Sequence, residues 1–490
     1  MPAIVGDATE TNRQFARPAL IAQREYDWRR NVWPLSIGVA IALAARLLAA
    51  YRLSVGNPDT PVYDELGRNW LRFGTYGLFQ GGVLVPSDFR PPGYPLFLAL
   101  VHRIFGESLR TLTTVQALLD ALTCIACAIV ATLIPRRGRD TRAGVVALWL
   151  AAVSAPMIAA SATALTETLS GFLTILALLA LALVIDPESE GTPLRFPTPG
   201  LLAVGVLIGL GMLVRSEAGL LLPAAFVGLF LRFRRTWTWR RLSLAAALTI
   251  LGMALPVTPW LARNWRLTGR PELQGARPLP TSDKGYILWL HTWFWRDDDD
   301  GKFLWGPNVE HPLRLDQLPP EAFDSSQERA QVGQLLNLAS GDPQDAGPQV
   351  QKAFADLALR RTERRPLRTL ITVPLKRAGY EWINQGIRSR HIFPAHPGLD
   401  SAVNLLGIMA PLILSYVLAI AGACLSWRSP VAAALIAYLI LRTGFTTVLD
   451  VPAHRYMFVL LPLAYALAGA TVAAFPGIAW RRPASLEDAT

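Results

Sequence analysis

The chain has 490 residues and a formal net charge of +11; 52% of its residues are hydrophobic and only 17% are charged, with a mean hydropathy of +0.32. A soluble chain carries about 25% charged residues, and here the apolar residues gather in runs of about 20, enough to cross a hydrocarbon core of roughly 30 Å. A single soluble core is excluded. Much of the positive charge sits in short arginine clusters beside apolar runs, so it reads as membrane topology rather than as a nucleic-acid surface.

Arg24, Arg29 and Arg30 predict a cytoplasmic N-terminal tail over 1–32. "NVWPLSIGVAIALAARLLAAYRL" has no small-residue cleavage site and reads as a retained first span over 33–53. It delivers "NPDTPVYDELGRNW", with Asp59, Asp64 and Glu65, to the opposite side. "PPGYPLFLALVHRIFG" is too short to span and fits an interfacial or re-entrant helix. The next run, 111–134, ends at the cytoplasmic marker "RRGRDTR". Within it Cys124 and Cys127 form a C-x-x-C with no second pair for zinc, which reads as small-residue helix packing.

Further spans are expected at 143–161, 165–184, 199–215, 217–232 and 242–262, with a Pro/Gly-rich cytoplasmic linker over 187–200. A polar outer segment follows, then spans at 402–425, 430–449 and 454–474. The reading is an all-α polytopic membrane protein with about 10–13 transmembrane helices, interfacial helices in a first outer loop over 56–110, and both termini cytoplasmic. Its parts are a transmembrane catalytic module over 33–262, an outer segment over 263–400, C-terminal helices over 401–476 and a tail over 477–490.

The outer ends collect Asp59, Asp64, Glu65, Arg90, Glu167, Arg215, Glu217, Arg263, Asp450, His454 and Arg455. Ionisable groups at a membrane boundary are costly unless paired or solvated, so a shared polar chamber on the outer face is expected. Acids at span ends, and no matched pair of broken helices, disfavour a transporter or flippase of lipid-linked glycans, which is the alternative from another class.

"NPDTPVYDELGRNWLRFGTYG" followed by "FRPPGYPLFLALVHRIFG" resembles the first outer loop of GT-C glycosyltransferases, of the bacterial protein O-mannosyltransferase and aminoarabinose-transferase type. "SATALTETLSGF", "GLGMLVRSEAGLLLPA", "PWLARNWRLTGRP" and "VPAHRYMFVLLPLAYALAG" resemble later landmarks of that family. The resemblance implies transfer of a sugar from a polyprenyl-phosphate donor to a protein, lipid or glycan acceptor at the outer face of the inner membrane. It makes Asp59 the catalytic base, with Tyr63 one turn on, Arg90 the basic residue before the Pro-Gly-Tyr turn, and Glu167 the second acid. Relatives carry an acid just before the final Arg-Tyr pair, where this chain has Ala453 and His454. Some relatives use a divalent metal ion and others do not, so no ligands are assigned.

The chemistry asks for little. A sugar on a lipid phosphate already has a good leaving group, so one carboxylate suffices to take the proton of the attacking hydroxyl. Arginines suit the departing phosphate, and Arg215, Arg455 and Arg442 are the candidates. Each residue also has a plainer reading. Asp59 precedes a helix start and fits an N-cap, as does Glu167 in its turn. Asp64 fits an ion pair with Arg68. Arg90 fits an interface anchor and Tyr94 a belt aromatic, while Arg215 with Glu217 fits a cavity wall.

In "GYILWLHTWFWRDDDDGKFLW" the aromatics Tyr286, Trp289, Trp293 and Trp295 read first as a membrane-interface belt and second as a sugar-stacking platform. His291 there is a candidate ligand or acid-base group. Asp297 to Asp300 lack calcium-loop spacing. An envelope-glycan polymerase or ligase is a further alternative, and would depend on His291 or Arg277 instead of Asp59. The stretch "PQVQKAFADLALRRTERRPLRTLITVPLKRAGYEW" reads as helices lying on the outer membrane surface.

Overall fold

In the computed structural model, residues 31–135, 139–186, 196–275, 284–296, 303, 307, 312–339, 343–384, 403–449 and 452–475 are described. The tails, most of the 187–200 linker, Arg277, Asp297 to Asp300 and Asp450 lie outside them. The first apolar run forms α1, Val32–Arg52. Then come α2, Thr60–Phe73, a two-stranded hairpin of β1, Gly77–Gln80, and β2, Val83–Pro86, and the 13-residue α3, Gly93–Phe105. The hairpin turns on Gly81 and Gly82, both with positive φ (58° and 82°), the conformation a two-residue turn requires.

The membrane helices follow as α4, Leu109–Leu133; α5, Thr141–Ala152, bent by 60° into α6, Ala155–Ser161; and α7, Thr166–Ile185. After the linker come α8, Thr198–Val214; a 3-10 turn, Ser216–Leu220, running into α9, Leu221–Phe233; and α10, Trp239–Thr268. Among the described residues seven helices are long and apolar enough to cross a membrane, or eight with the bent pair taken as one. Two further apolar helices, α8 and α16 (Pro430–Thr446), have 17 residues each, a reach of about 26 Å at 1.5 Å per residue. Together these account for the ten expected positions, and α3 is too short to be an eleventh.

Close packing is set by small residues, as is common between membrane helices. A Cβ on Gly205 would stand 2.1 Å from Thr249 O, and one on Gly252 would stand 2.4 Å from Leu202 O, so α8 and α10 meet backbone to backbone. Cys124 and Cys127 are free thiols buried in this packing, and Cys127 Sγ donates to Pro462 O at 3.0 Å.

The expectation that charge keeps to span ends is corrected. Arg46 of α1 and Asp120 of α4 lie inside their helices and pair at 2.6 Å. Arg46 also donates to Ala151 O and Ala152 O at the end of α5. One guanidinium therefore answers a buried carboxylate and two carbonyls at the bend.

The polar segment is a small helical body of its own. It comprises α11, Lys284–Leu290; α12, Ser326–Ala339; α13, Pro343–Arg364; and α14, Val373–Ile383. The aromatic stretch is not a belt. Tyr286, Trp289, Trp293 and Phe294 are buried in its core with Val332, Leu336 and Phe354. The "AFADLAL" face of α13 likewise packs on this core through Val350, Phe354 and Leu357 rather than only lying on a surface. Two membrane helices remain beside α16: α15, Ala410–Ser426, and α17, Leu461–Ala473, the latter entered through a 3-10 segment, His454–Leu460.

Candidate active site

Two loop crossings build the site. Val55 bridges to Thr163, with Val55 N donating to Ala162 O and Ala164 N to Val55 O, each at 3.0 Å. Thr60 Oγ1 then donates to Ala164 O at 2.8 Å. These bonds tie the start of α2, which carries Asp59, to the start of α7, which carries Glu167. The second crossing is the Pro91-Pro92-Gly93 turn. A Cβ on Gly93 would stand 2.7 Å from Leu213 O, so only glycine lets this turn press on the end of α8 and bring Arg90 beside Arg215.

The result is a cavity of about 90 Å³ whose lining includes Asp59, Tyr63, Arg90, Glu167, Arg215, Glu217, Gln274, Arg455 and Tyr456. Its charges alternate in space. Arg90 Nη2 lies 2.8 Å from Asp59 Oδ1, and Arg455 Nη2 lies 3.4 Å from Asp59 Oδ2. Arg455 Nε reaches to 3.9 Å from Glu167 Oε1, which Arg215 Nη1 approaches to 3.2 Å. Arg215 Nε pairs with Glu217 Oε1 at 2.6 Å, and the fully buried Arg442 reaches the same oxygen at 3.3 Å. Three arginines and three carboxylates line the cavity, and Arg442, behind Glu217, adds one further positive charge to the network. Aromatic faces support the guanidinium groups: Arg90 lies over Tyr63, and Arg215 lies 5.1 Å from the Tyr456 ring centroid.

Neither carboxylate acts as a helix cap. Asp59 occupies the N-cap position of α2 without a side-chain cap bond, and α7 also starts without one. Both are turned to arginines instead, and Asp59 keeps 22% side-chain exposure. Asp64 pairs with Arg68 at 2.7 Å, away from the cavity. Burial raises the Tyr63 phenol above its usual range, so it stays a neutral donor.

Several expected site residues stand elsewhere. Tyr94 is no belt aromatic: it is fully buried, its hydroxyl donates to Gln116 Oε1 at 2.9 Å, and its ring meets Tyr63 edge-on at 5.2 Å. It supports Tyr63 from behind. Arg442 lies behind Glu217 and does not line the cavity. His454, next to Arg455, packs toward Phe458 and is likewise not in the lining. His291 sits in the polar segment, where burial and then Arg377 push its pKa down to about 4, which keeps it neutral. Arg263 clamps the hairpin through Ser87 O and Tyr76 O at 2.7 and 2.8 Å. Gln274 lines the cavity without having been singled out by its sequence; the neighbouring Gly275 N donating to Asp88 O at 2.9 Å holds its segment there.

Residues 89–260 match the profile of a family described as dolichyl-phosphate-mannose-protein mannosyltransferase. The matched stretch holds Arg90, Glu167, Arg215 and Glu217, while Asp59 and Arg455 reach the same cavity from outside it. Among solved structures the chain is similar to the oligosaccharyltransferase AglB from Archaeoglobus fulgidus, in complex with an inhibitory peptide and a dolichol-phosphate. The identity is 17% over 91% of this chain and 51% of that one, with a TM-score of 0.49, so this chain spans about half the length of the archaeal protein. It is also similar to ArnT from Cupriavidus metallidurans bound to undecaprenyl phosphate, at 17% identity over 90% of this chain and 78% of that one, with a TM-score of 0.39. No curated protein sequence matches the chain.

Relatives that use a divalent ion prompt a test of fit. Among the described residues no three His, Cys, Asp or Glu side chains converge, and each acid in the cavity is already held by arginine. As placed, these residues do not offer the free oxygen donors that a dication requires.

Proposed function

We propose that the chain is an inverting glycosyltransferase that moves a sugar from a polyprenyl phosphate to an acceptor hydroxyl at the non-cytoplasmic membrane face. The observation that carries this reading is Asp59, a partly exposed carboxylate in a buried cavity whose acids are each paired with arginine.

Asp59 takes the proton of the acceptor hydroxyl as that oxygen attacks the anomeric carbon. The bond from that carbon to the phosphate oxygen breaks on the opposite face, and the phosphate leaves as an anion. Arg455, whose contacts to Asp59 and Glu167 are the longest in the network, is placed to turn toward that phosphate, with Arg215 behind it. Such a turn frees Asp59 Oδ2 for the acceptor hydroxyl. Arg90, at 2.8 Å, keeps the carboxylate oriented. Single displacement inverts the anomeric configuration. The arginines flanking the apolar runs support a cytoplasmic N-terminus and so an outward cavity.

The test is incubation of the purified protein with a panel of polyprenyl-phosphate sugars, followed by mass analysis and anomeric assignment of the product. Release of polyprenyl phosphate with an inverted glycoside supports the proposal. A retained configuration, or transport without bond cleavage, rejects it.

A further inference from the structure

The polar segment holds a second and larger cavity, of about 180 Å³, lined among others by Trp293, Trp295, Arg296, Phe303, Gln317 and Glu321. That is about six times the roughly 30 Å³ a water molecule takes up in the liquid and below the roughly 300–1,000 Å³ of sites for drug-sized ligands. Its walls combine aromatic faces with planar amide and carboxylate groups, and the Trp295 ring also meets the Arg296 guanidinium at 5.1 Å and Lys376 Nζ at 5.5 Å. Aromatic faces take up C–H surfaces, and planar polar groups take hydroxyls in pairs. Trp293 is only 4% exposed, and its indole Nε1 has no hydrogen-bond partner among the described residues. A buried donor left open is costly unless something accepts from it.

The walls are fixed before any ligand arrives. The fully buried Arg361 donates to Thr292 Oγ1 at 2.8 Å, beside Trp293, and to Ala322 O and Glu321 O at 2.9 and 3.0 Å on the facing wall, while pairing with Glu328. Gln317 is held through its own Oε1, which accepts from Arg314 N at 2.9 Å. The cavity is also tied to the membrane helices. Arg377 donates to Phe294 O at 2.7 Å, and on its other side to Thr447 O and Leu449 O at 3.1 and 2.8 Å, in the stretch that leads to Arg455.

The geometry points to a binding site for one sugar ring, a unit of a glycan acceptor, with Trp295 under the ring and Trp293 Nε1 donating to a ring or hydroxyl oxygen. Its identity as an acceptor unit rests on the glycosyltransferase reading above; the binding of a sugar does not. Gln317 and Glu321 supply the remaining hydrogen bonds to hydroxyls.

Saturation-transfer NMR on the detergent-solubilised full chain tests this, with methyl α-mannopyranoside and methyl β-glucopyranoside as probes. The proteins compared are wild type, Asp59→Asn, Trp293→Phe, Gln317→Ala and Trp295→Ala, each with its thermal unfolding recorded. Transfer to ring protons is expected in wild type and, undiminished, in Asp59→Asn, which separates this site from the catalytic cavity. Affinity should fall by about two- to tenfold in Trp293→Phe and Gln317→Ala, the worth of one net hydrogen bond, and the signal should vanish in Trp295→Ala. Trp293→Phe keeps a ring in the core, so it remains informative if Trp295→Ala unfolds. Absence of transfer in wild type, equal transfer in all five proteins, or loss in Asp59→Asn alone overturns the assignment.

Discussion

At the scale of single residues, the cavity is an alternating lattice in which the buried charges and the partly exposed ones differ in what their removal costs. Glu217 answers both Arg215 and the fully buried Arg442. Replacing it by Gln leaves a buried guanidinium without its counter-charge, a change that costs about 3–5 kcal/mol. Glu217→Gln should therefore lower the unfolding temperature in detergent, and adding Arg442→Met should recover part of the loss. Arg455 is different in kind, because its contacts are loose and its side chain keeps 30% exposure. Arg455→Lys should leave unfolding nearly unchanged but reduce turnover about tenfold or more and raise KM for the lipid donor, since an ammonium cannot bind phosphate bidentately. Initial rates at varied donor concentration check this.

At the scale of elements, α14 docks the polar segment onto the membrane helices through Arg377 and through one carboxylate. Thr446 Oγ1 donates to Glu381 Oε2 at 2.8 Å, and burial pushes the Glu381 carboxyl up to about 7 against the pull of Thr446 and Arg377. With the folded value above the unfolded one, this contribution is complete below about pH 4 and is lost as pH rises toward 7. Unfolding temperature should fall across that window in wild type, and that part of the slope should be absent in Glu381→Gln. Elements were legible in the sequence where they carry a length or a punctuation mark, as in α1, α4 and the short α3 after its Pro-Pro-Gly turn. The hairpin was missed although Gly81-Gly82 between "LFQ" and "VLV" announces it. The aromatic core of the polar segment was misread because a belt and a buried cluster share one composition. Only the partners, Val332, Leu336 and Phe354 from distant helices, tell them apart. The Arg46–Asp120 pair was hidden for the same reason, since each residue lies alone in its own apolar run.

At the scale of the whole molecule, six separate stretches of chain converge on one small chamber: Asp59 and Tyr63, Arg90, Glu167, Arg215 with Glu217, Gln274, and Arg455 with Tyr456. Sequence could nominate these residues one by one, apart from Gln274 and Tyr456, but the ion-pair order that joins them exists only in three dimensions. The side of the membrane can be checked with single cysteines in a background with the three native ones replaced. Val83→Cys, at the exposed hairpin tip, should react with an impermeant maleimide added outside intact cells, and Arg235→Cys, at the far end of α9, should not. The most direct measurement on the account as a whole is turnover of a polyprenyl-phosphate sugar by Asp59→Asn, an isosteric change that keeps hydrogen bonding and removes only the base. The account predicts a loss of about 10²- to 10⁴-fold with donor binding and unfolding temperature close to wild type. Turnover at the wild-type rate by the folded variant would contradict it.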